Sequence, residues 1–127
     1  MKTSTLSALV VVTALTATSG ALAQDAAAGK TSFNKCLACH AIGEGAKNKV
    51  GPVLNGLFGS RVTLANGETV VADNAYIRES VLNPQAKIVA GFPPIMPTFQ
   101  GLVTEEQLLE LIEYVKSLQA LPQVQTR

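Results

Sequence analysis

Five consecutive residues, Cys36-Leu37-Ala38-Cys39-His40, constrain this chain more than any other part of it. A bare Cys-x-x-Cys serves many proteins as a redox dithiol or a plain disulfide. A zinc site takes four ligands, usually Cys and His, and this sequence holds two Cys and one His in all. A carboxylate would have to complete such a site, which is uncommon where zinc is structural. A thioredoxin-like dithiol needs a βαβ surround, and no alternating strand pattern flanks these residues. The histidine directly after the second cysteine fits another chemistry, the covalent attachment of c-type haem. Thiols with two residues between them reach the two vinyl groups of one haem, and the following imidazole is offered to the iron.

The first residues have the pattern of a secretory leader. Met1-Lys2 is a short positive start, Leu6 to Leu22 is apolar with scattered Thr and Ser, and Ala21-Leu22-Ala23 is a small-x-small cleavage site. An uncleaved membrane anchor is the alternative, but the repeated Thr and Ser make the stretch weakly apolar. No cysteine lies near the cleavage point to carry a lipid. The expected organisation is a signal peptide over 1–23, export to the periplasm, and one domain over 24–127 with no membrane insertion after cleavage. About a hundred residues bury only a modest core, which a covalently held apolar cofactor would enlarge.

Charge limits the partners. Without Lys2, nine Lys and Arg balance nine Asp and Glu, so bulk charge argues against nucleic acid. The distribution is less even: Lys35, Lys47, Lys49 and Lys87 fall near the haem-binding segments, and Glu105, Glu106, Glu110 and Glu113 crowd the C-terminal part. A basic rim suits an acidic redox partner. Plain solvated surface charge is the other reading.

Three helices and a hairpin can be read along the chain, and the rest is loop rich in Gly and Pro. Asp25 to Lys35 is a short helix with an acidic start, and Gly29 and Phe33, four apart, share a face. Thr104-Glu105-Glu106-Gln107 is a capping box, followed by Leu108, Leu111, Ile112, Val115 and Leu118 at helical spacing. That helix is expected to reach Gln119 and stop before Pro122. Asp73 or Asn74 caps a middle helix over Ala75 to Leu82, ended by Pro84. Ahead of it, residues 62–65 and 68–71 flank Asn66-Gly67, the signal for a tight β-hairpin over 62–71.

Counting narrows the iron's ligands. His40 is the only histidine, so one chain cannot supply two imidazoles. With Met1 removed in the leader, Met96 is the sole methionine. It sits in Phe92-Pro93-Pro94-Ile95-Met96-Pro97-Thr98-Phe99, a segment whose prolines restrict the backbone. A stiff loop suits a thioether that is a weak ligand by itself, whereas a gap-filling core methionine needs no such loop.

These residues together resemble class I monohaem cytochrome c. Met96 with Phe99 three residues on is similar to that family's methionine loop. Gly51-Pro52-Val53-Leu54-Asn55-Gly56 resembles its Gly-Pro-x-Leu-x-Gly segment. The resemblance implies an all-α fold in which a first and a last helix cross, with a middle helix and haem-wrapping loops. Gly29 and Phe33 would meet Leu111 and Tyr114 at the crossing. It also implies haem c attached through Cys36 and Cys39, iron between His40 and Met96, and Pro52 O accepting from His40 Nδ1–H. Arg61 lies where the family often has an arginine near a haem propionate, though Ser60 intervenes. The family's frequent propionate-facing tryptophan is missing, since the chain has no Trp.

A narrower resemblance spans Lys35 to Leu118. Asp73 to Ser80, Asn83 to Phe92 and the Met96 loop are similar to the cytochrome c domain fused to subunit II of some haem-copper oxidases. The chain departs in lacking a copper-binding domain and a membrane hairpin beyond its leader. What this implies is a free-standing, exported, monomeric one-electron carrier, not an enzyme, whose redox partner is a terminal oxidase. Two other readings stay open: an electron-accepting subunit of a periplasmic dehydrogenase complex, and a gas sensor or weak peroxidase in which Met96 leaves the iron.

Overall fold

The computed structural model describes residues 20–120. Most of the expected leader, residues 1–19, therefore lies outside the described residues, as does Pro122 beyond the last helix. The elements in chain order are helix α1 (Gly20–Phe33), strands β1 (Arg61–Thr63) and β2 (Thr69–Val71), helix α2 (Asn74–Leu82) and helix α3 (Glu105–Ser117). Short 3-10 turns follow α2 at Pro84–Ala86 and α3 at Leu118–Ala120.

Helix α1 starts five residues before the expected Asp25, because the alanine-rich run favours helix on both sides of the expected cleavage point. It stops at Phe33, two residues short of Lys35. The chain tightens there into Cys36 N–H to Phe33 O (2.8 Å) and Cys39 N–H to Cys36 O (3.1 Å), which no longer follow the helical spacing.

Helices α1 and α3 cross at Gly29. A Cβ added there would lie 2.0 Å from Glu110 O and 2.8 Å from Tyr114 Cβ, so only glycine lets the backbones approach this closely. One turn on, the Phe33 and Tyr114 rings tilt together with centroids 5.2 Å apart. The crossing expected from Gly29, Phe33, Leu111 and Tyr114 is formed, with Leu111 buried beside it. Burial lifts the Tyr114 phenol above its ordinary pKa.

Helix α3 opens as its capping box predicts: Thr104 Oγ1 accepts from Gln107 N–H (3.2 Å) and Gln107 Oε1 accepts from Thr104 N–H (3.0 Å). Its apolar stripe, Leu108, Leu111, Ile112 and Val115, is buried. Asp73 is the N-cap of α2 through Tyr76 N–H to Asp73 Oδ1 (2.8 Å), so the helix gains Asn74 over the expected range. Arg78 on α2 meets Glu105 at the start of α3 with two parallel contacts of 2.7 and 2.5 Å. The guanidinium holds the Glu105 carboxyl below its usual range, and the pair lies at the surface.

The hairpin is real but differs at its turn. Strands pair antiparallel as Arg61 with Val71, Val62 with Val70 and Thr63 with Thr69. Gly67 takes φ +89° while Asn66 does not take positive φ, and Gly67 N–H donates to Leu64 O (2.9 Å) with Leu64 N–H to Glu68 O (2.8 Å). A two-residue Asn-Gly turn needs positive φ at both central residues, so the loop is instead the longer kind with glycine at its bulge. Leu64 is thereby freed to bridge Val89, which ties the ribbon to the segment after α2.

Candidate functional site

Phe33, Cys36, Cys39 and His40, with Val50, Gly51, Pro52 and Leu54 from a second segment, form one wall of a cavity of about 650 Å³, within the range of small-molecule and cofactor sites. Hydrogen bonds join the two segments: Gly51 N–H to Cys39 O (2.9 Å) and Leu54 N–H to Ala41 O (3.2 Å). Lys49 Nζ donates to Leu37 O (2.6 Å), holding the middle of the Cys-x-x-Cys loop. Asn55, only 3% exposed, donates to Gly43 O (2.7 Å) and accepts from Gly43 N–H (2.9 Å), which braces the turn after His40.

His40 is placed by this frame. Its Nδ1 lies 2.7 Å from Pro52 O, so Nδ1 carries the proton and donates, and Nε2 is the nitrogen left for the cavity. Gly51 makes this possible: a Cβ there would sit 2.7 Å from His40 Cε1 and 3.0 Å from Nδ1. Burial lowers the His40 pKa, the Pro52 hydrogen bond opposes that, and the Lys49 cation adds to it. The lowered pKa favours the neutral imidazole, the form that binds a metal.

Cys36 and Cys39 line the same wall, and no disulfide joins them. Burial, with Cys39 adding to it, raises the Cys36 pKa, while Lys35 works against the shift. Among the described residues no group of three or more Cys, His, Asp or Glu side chains is gathered to hold a metal.

The facing wall comes from α2, α3 and the loop after α2. Ile77, Val81, Leu111 and Val115, with Val62 from β1, supply apolar surface, and Met96 contributes from the proline-rich loop. All five residues expected from sequence, Cys36, Cys39, His40, Pro52 and Met96, border this one cavity, and so does Arg61. Tyr76 and Ser80, one turn apart on α2, add hydroxyls to the wall; Ser80 Oγ is buried with no hydrogen bond of good geometry. Burial raises the Tyr76 pKa, and its contact with Ser80 opposes the shift. The residues fit a haem: a largely apolar cavity, two thiols and an imidazole on one wall, a thioether in the lining, and the Ser80 hydroxyl and the Arg61 cation as polar groups beside it.

A family profile described as Cytochrome c matches residues 26–119, nearly the whole described chain. The chain belongs to the cytochrome c family. It is 46% identical to cytochrome c-550 of Bradyrhizobium diazoefficiens over 99 residues, covering 71% of this chain and 70% of that protein. It is 41% identical to cytochrome c2 of Blastochloris viridis, covering 79% and 83%. In fold it is similar to the structure of cytochrome c2 from Rhodospirillum centenum, with a TM-score of 0.56 at 22% identity, over 74% of this chain and 98% of that one. The chain is thus a monohaem c-type cytochrome, an electron carrier with one covalently bound haem c. Among the described residues no helix is long and apolar enough to cross a membrane.

Sequence reasoning marked several of these residues without the contacts that make them shape the site. Lys49 and Asn55 act through hydrogen bonds that span twelve residues, and no local spacing marks them. Gly51 had a signal, its place before Pro52, but the contact that requires a glycine is visible only in three dimensions. Lys87 lines the cavity while paired with Glu79.

Proposed function

We propose that this cytochrome is an exported carrier whose iron is held by His40 Nε2 and Met96 Sδ, with the haem bound through Cys36 and Cys39. The observation that carries the reading is the 2.7 Å hydrogen bond from His40 Nδ1 to Pro52 O, which commits the other ring nitrogen to a cavity bordered by both cysteines and Met96. A hydrogen bond at Nδ1 fixes the ring and raises its basicity, as outer-shell partners do at metal sites. The bound haem supplies one-electron exchange between ferric and ferrous iron. His40 and Met96 would hold the iron and leave it no open position for a substrate, so the reading is of an electron carrier and not an enzyme.

The leader over 1–23 supports cleavage after Ala23 and a periplasmic location for the domain over 24–127. The resemblance of Asp73–Ser80 and Asn83–Phe92 to the domain fused to oxidase subunit II supports a haem-copper terminal oxidase as acceptor.

The test of the iron site is a visible spectrum with a redox titration on exported protein. Ferric wild type is expected to show the far-red iron–sulfur band and to resist carbon monoxide when reduced. Met96→Ala should lose the band, bind carbon monoxide, and fall in potential by about 100 mV or more, within the roughly 0.8 V that axial ligands control. A native spectrum in Met96→Ala would remove Met96 from the iron.

A further inference from the structure

Helix α2 ends where Pro84 interrupts it, and the last carbonyls of a helix need partners from outside. Two of them are taken by the loop that carries Met96. Phe99 N–H donates to Val81 O (3.0 Å), and Thr98 Oγ1 donates to Leu82 O (2.6 Å). The Thr98 hydroxyl also accepts from Gln100 N–H (3.1 Å), which fixes its direction. On the other side of Met96, Gln85 Nε2 from the turn after α2 donates to Pro94 O (3.1 Å). Met96 is therefore bracketed, two residues before and two after, by side-chain hydrogen bonds to the end of α2. Pro93, Pro94 and Pro97 have no N–H to give, so side chains must do what backbone pairing does elsewhere.

We propose that Gln85 and Thr98 are positioning residues that make the Met96 loop the C-terminal cap of α2, so that the thioether leaves the iron only when this helix end opens. The proposal rests on the reading of Met96 as an axial ligand. The helix side of the joint is rigid: Tyr76, Ile77 and Val81 are buried, and Arg78 ties α2 to α3. The loop side is stiffened by its prolines. What can yield is the joint itself, whose two side-chain hydrogen bonds are exposed, with water competing for each.

The experiment follows imidazole binding to the ferric, haem-loaded protein, whose limiting rate reports departure of the thioether. Thr98→Val keeps the shape and removes the hydroxyl; the limiting rate should rise about fivefold, as expected for one neutral hydrogen bond, and imidazole affinity should rise with it. Thr98→Ser should return both to wild-type values. Gln85→Leu should act in the same direction, and serves as the test if Thr98→Val does not fold. Gln119→Ala, which removes a hydrogen bond to Phe58 O far from the loop, should lower the melting temperature without quickening binding. Met96→Ala should bind imidazole with no limiting step. Wild-type rates in Thr98→Val and Gln85→Leu, with Met96→Ala fast, would overturn the joint alone. Met96→Ala indistinguishable from wild type would overturn the ligand assignment and the joint together.

Discussion

Gly51 shows how one missing side chain decides the geometry of a site. A Cβ added there would have His40 Cε1, His40 Nδ1 and Cys39 O at 3.0 Å or less. None of these is the free end of a flexible side chain: the ring is anchored on Pro52 O and the carbonyl accepts from Gly51 itself. Gly51→Ala must therefore push the imidazole off its acceptor or part the two segments. The expected cost is about 1–3 kcal/mol, typical of overpacking, with a perturbed visible spectrum. Denaturant unfolding of the haem-loaded protein reads the first; an unchanged midpoint would mean the ring has room to move. Here the sequence was informative in type and silent in degree. The Gly-Pro pair and the lone histidine marked the residues, but the contact that makes glycine necessary arises between segments eleven residues apart.

At the scale of elements, the α1–α3 crossing tests the same logic with a competing effect. Alanine is a better helix former than glycine by about 1 kcal/mol, so Gly29→Ala on an isolated helix would stabilise. In the folded chain the new Cβ meets Glu110 O at 2.0 Å, backbone that cannot swing aside. The crossing must widen, and the Phe33–Tyr114 contact and its buried surface loosen with it. A net loss of about 1–3 kcal/mol is expected, read as a lower unfolding midpoint; a gain would show that the helices slide freely. Helix existence was legible from caps and periodicity, since Asp73, Thr104 and Gln107 make the bonds their positions foretell. Helix ends were less so: α1 ends when the Cys-x-x-Cys loop takes over its carbonyls, and α3 gives way to a 3-10 turn at Leu118 where Gly56 N–H takes the Leu118 carbonyl (2.9 Å). The hairpin's location was legible and its turn was not, because Leu64 is drawn to Val89, a partner 25 residues on that no local pattern announces.

At the scale of the molecule, core and cavity are not separate regions: Phe33, Leu54, Val62, Tyr76, Ile77, Val81, Leu111 and Val115 belong to both. A small domain built this way is a shell whose stability and redox function share one set of contacts. The charges on that shell are balanced in sum and divided in space. Lys35 and Lys49 are exposed beside Cys36 and Val50 of the cavity wall, and Arg61 is part of it, while Glu105, Glu106, Glu110 and Glu113 lie along α3. With no net charge on residues 24–127 to attract or repel at long range, orientation must come from this separation, which is screened beyond about 8 Å at physiological salt. If the proposed oxidase presents an acidic surface, oxidation of the reduced cytochrome by oxidase-containing membranes should slow by about tenfold between low salt and 0.5 M, the lower end of what electrostatic steering achieves. Lys35→Glu should slow it at low salt and converge with wild type at high salt, because a rim charge alters encounter more than the docked complex. Glu106→Lys, on α3, should leave the low-salt rate at or above wild type. A Lys35→Glu rate equal to wild type at every ionic strength would place the electron's exit away from the Cys36 edge.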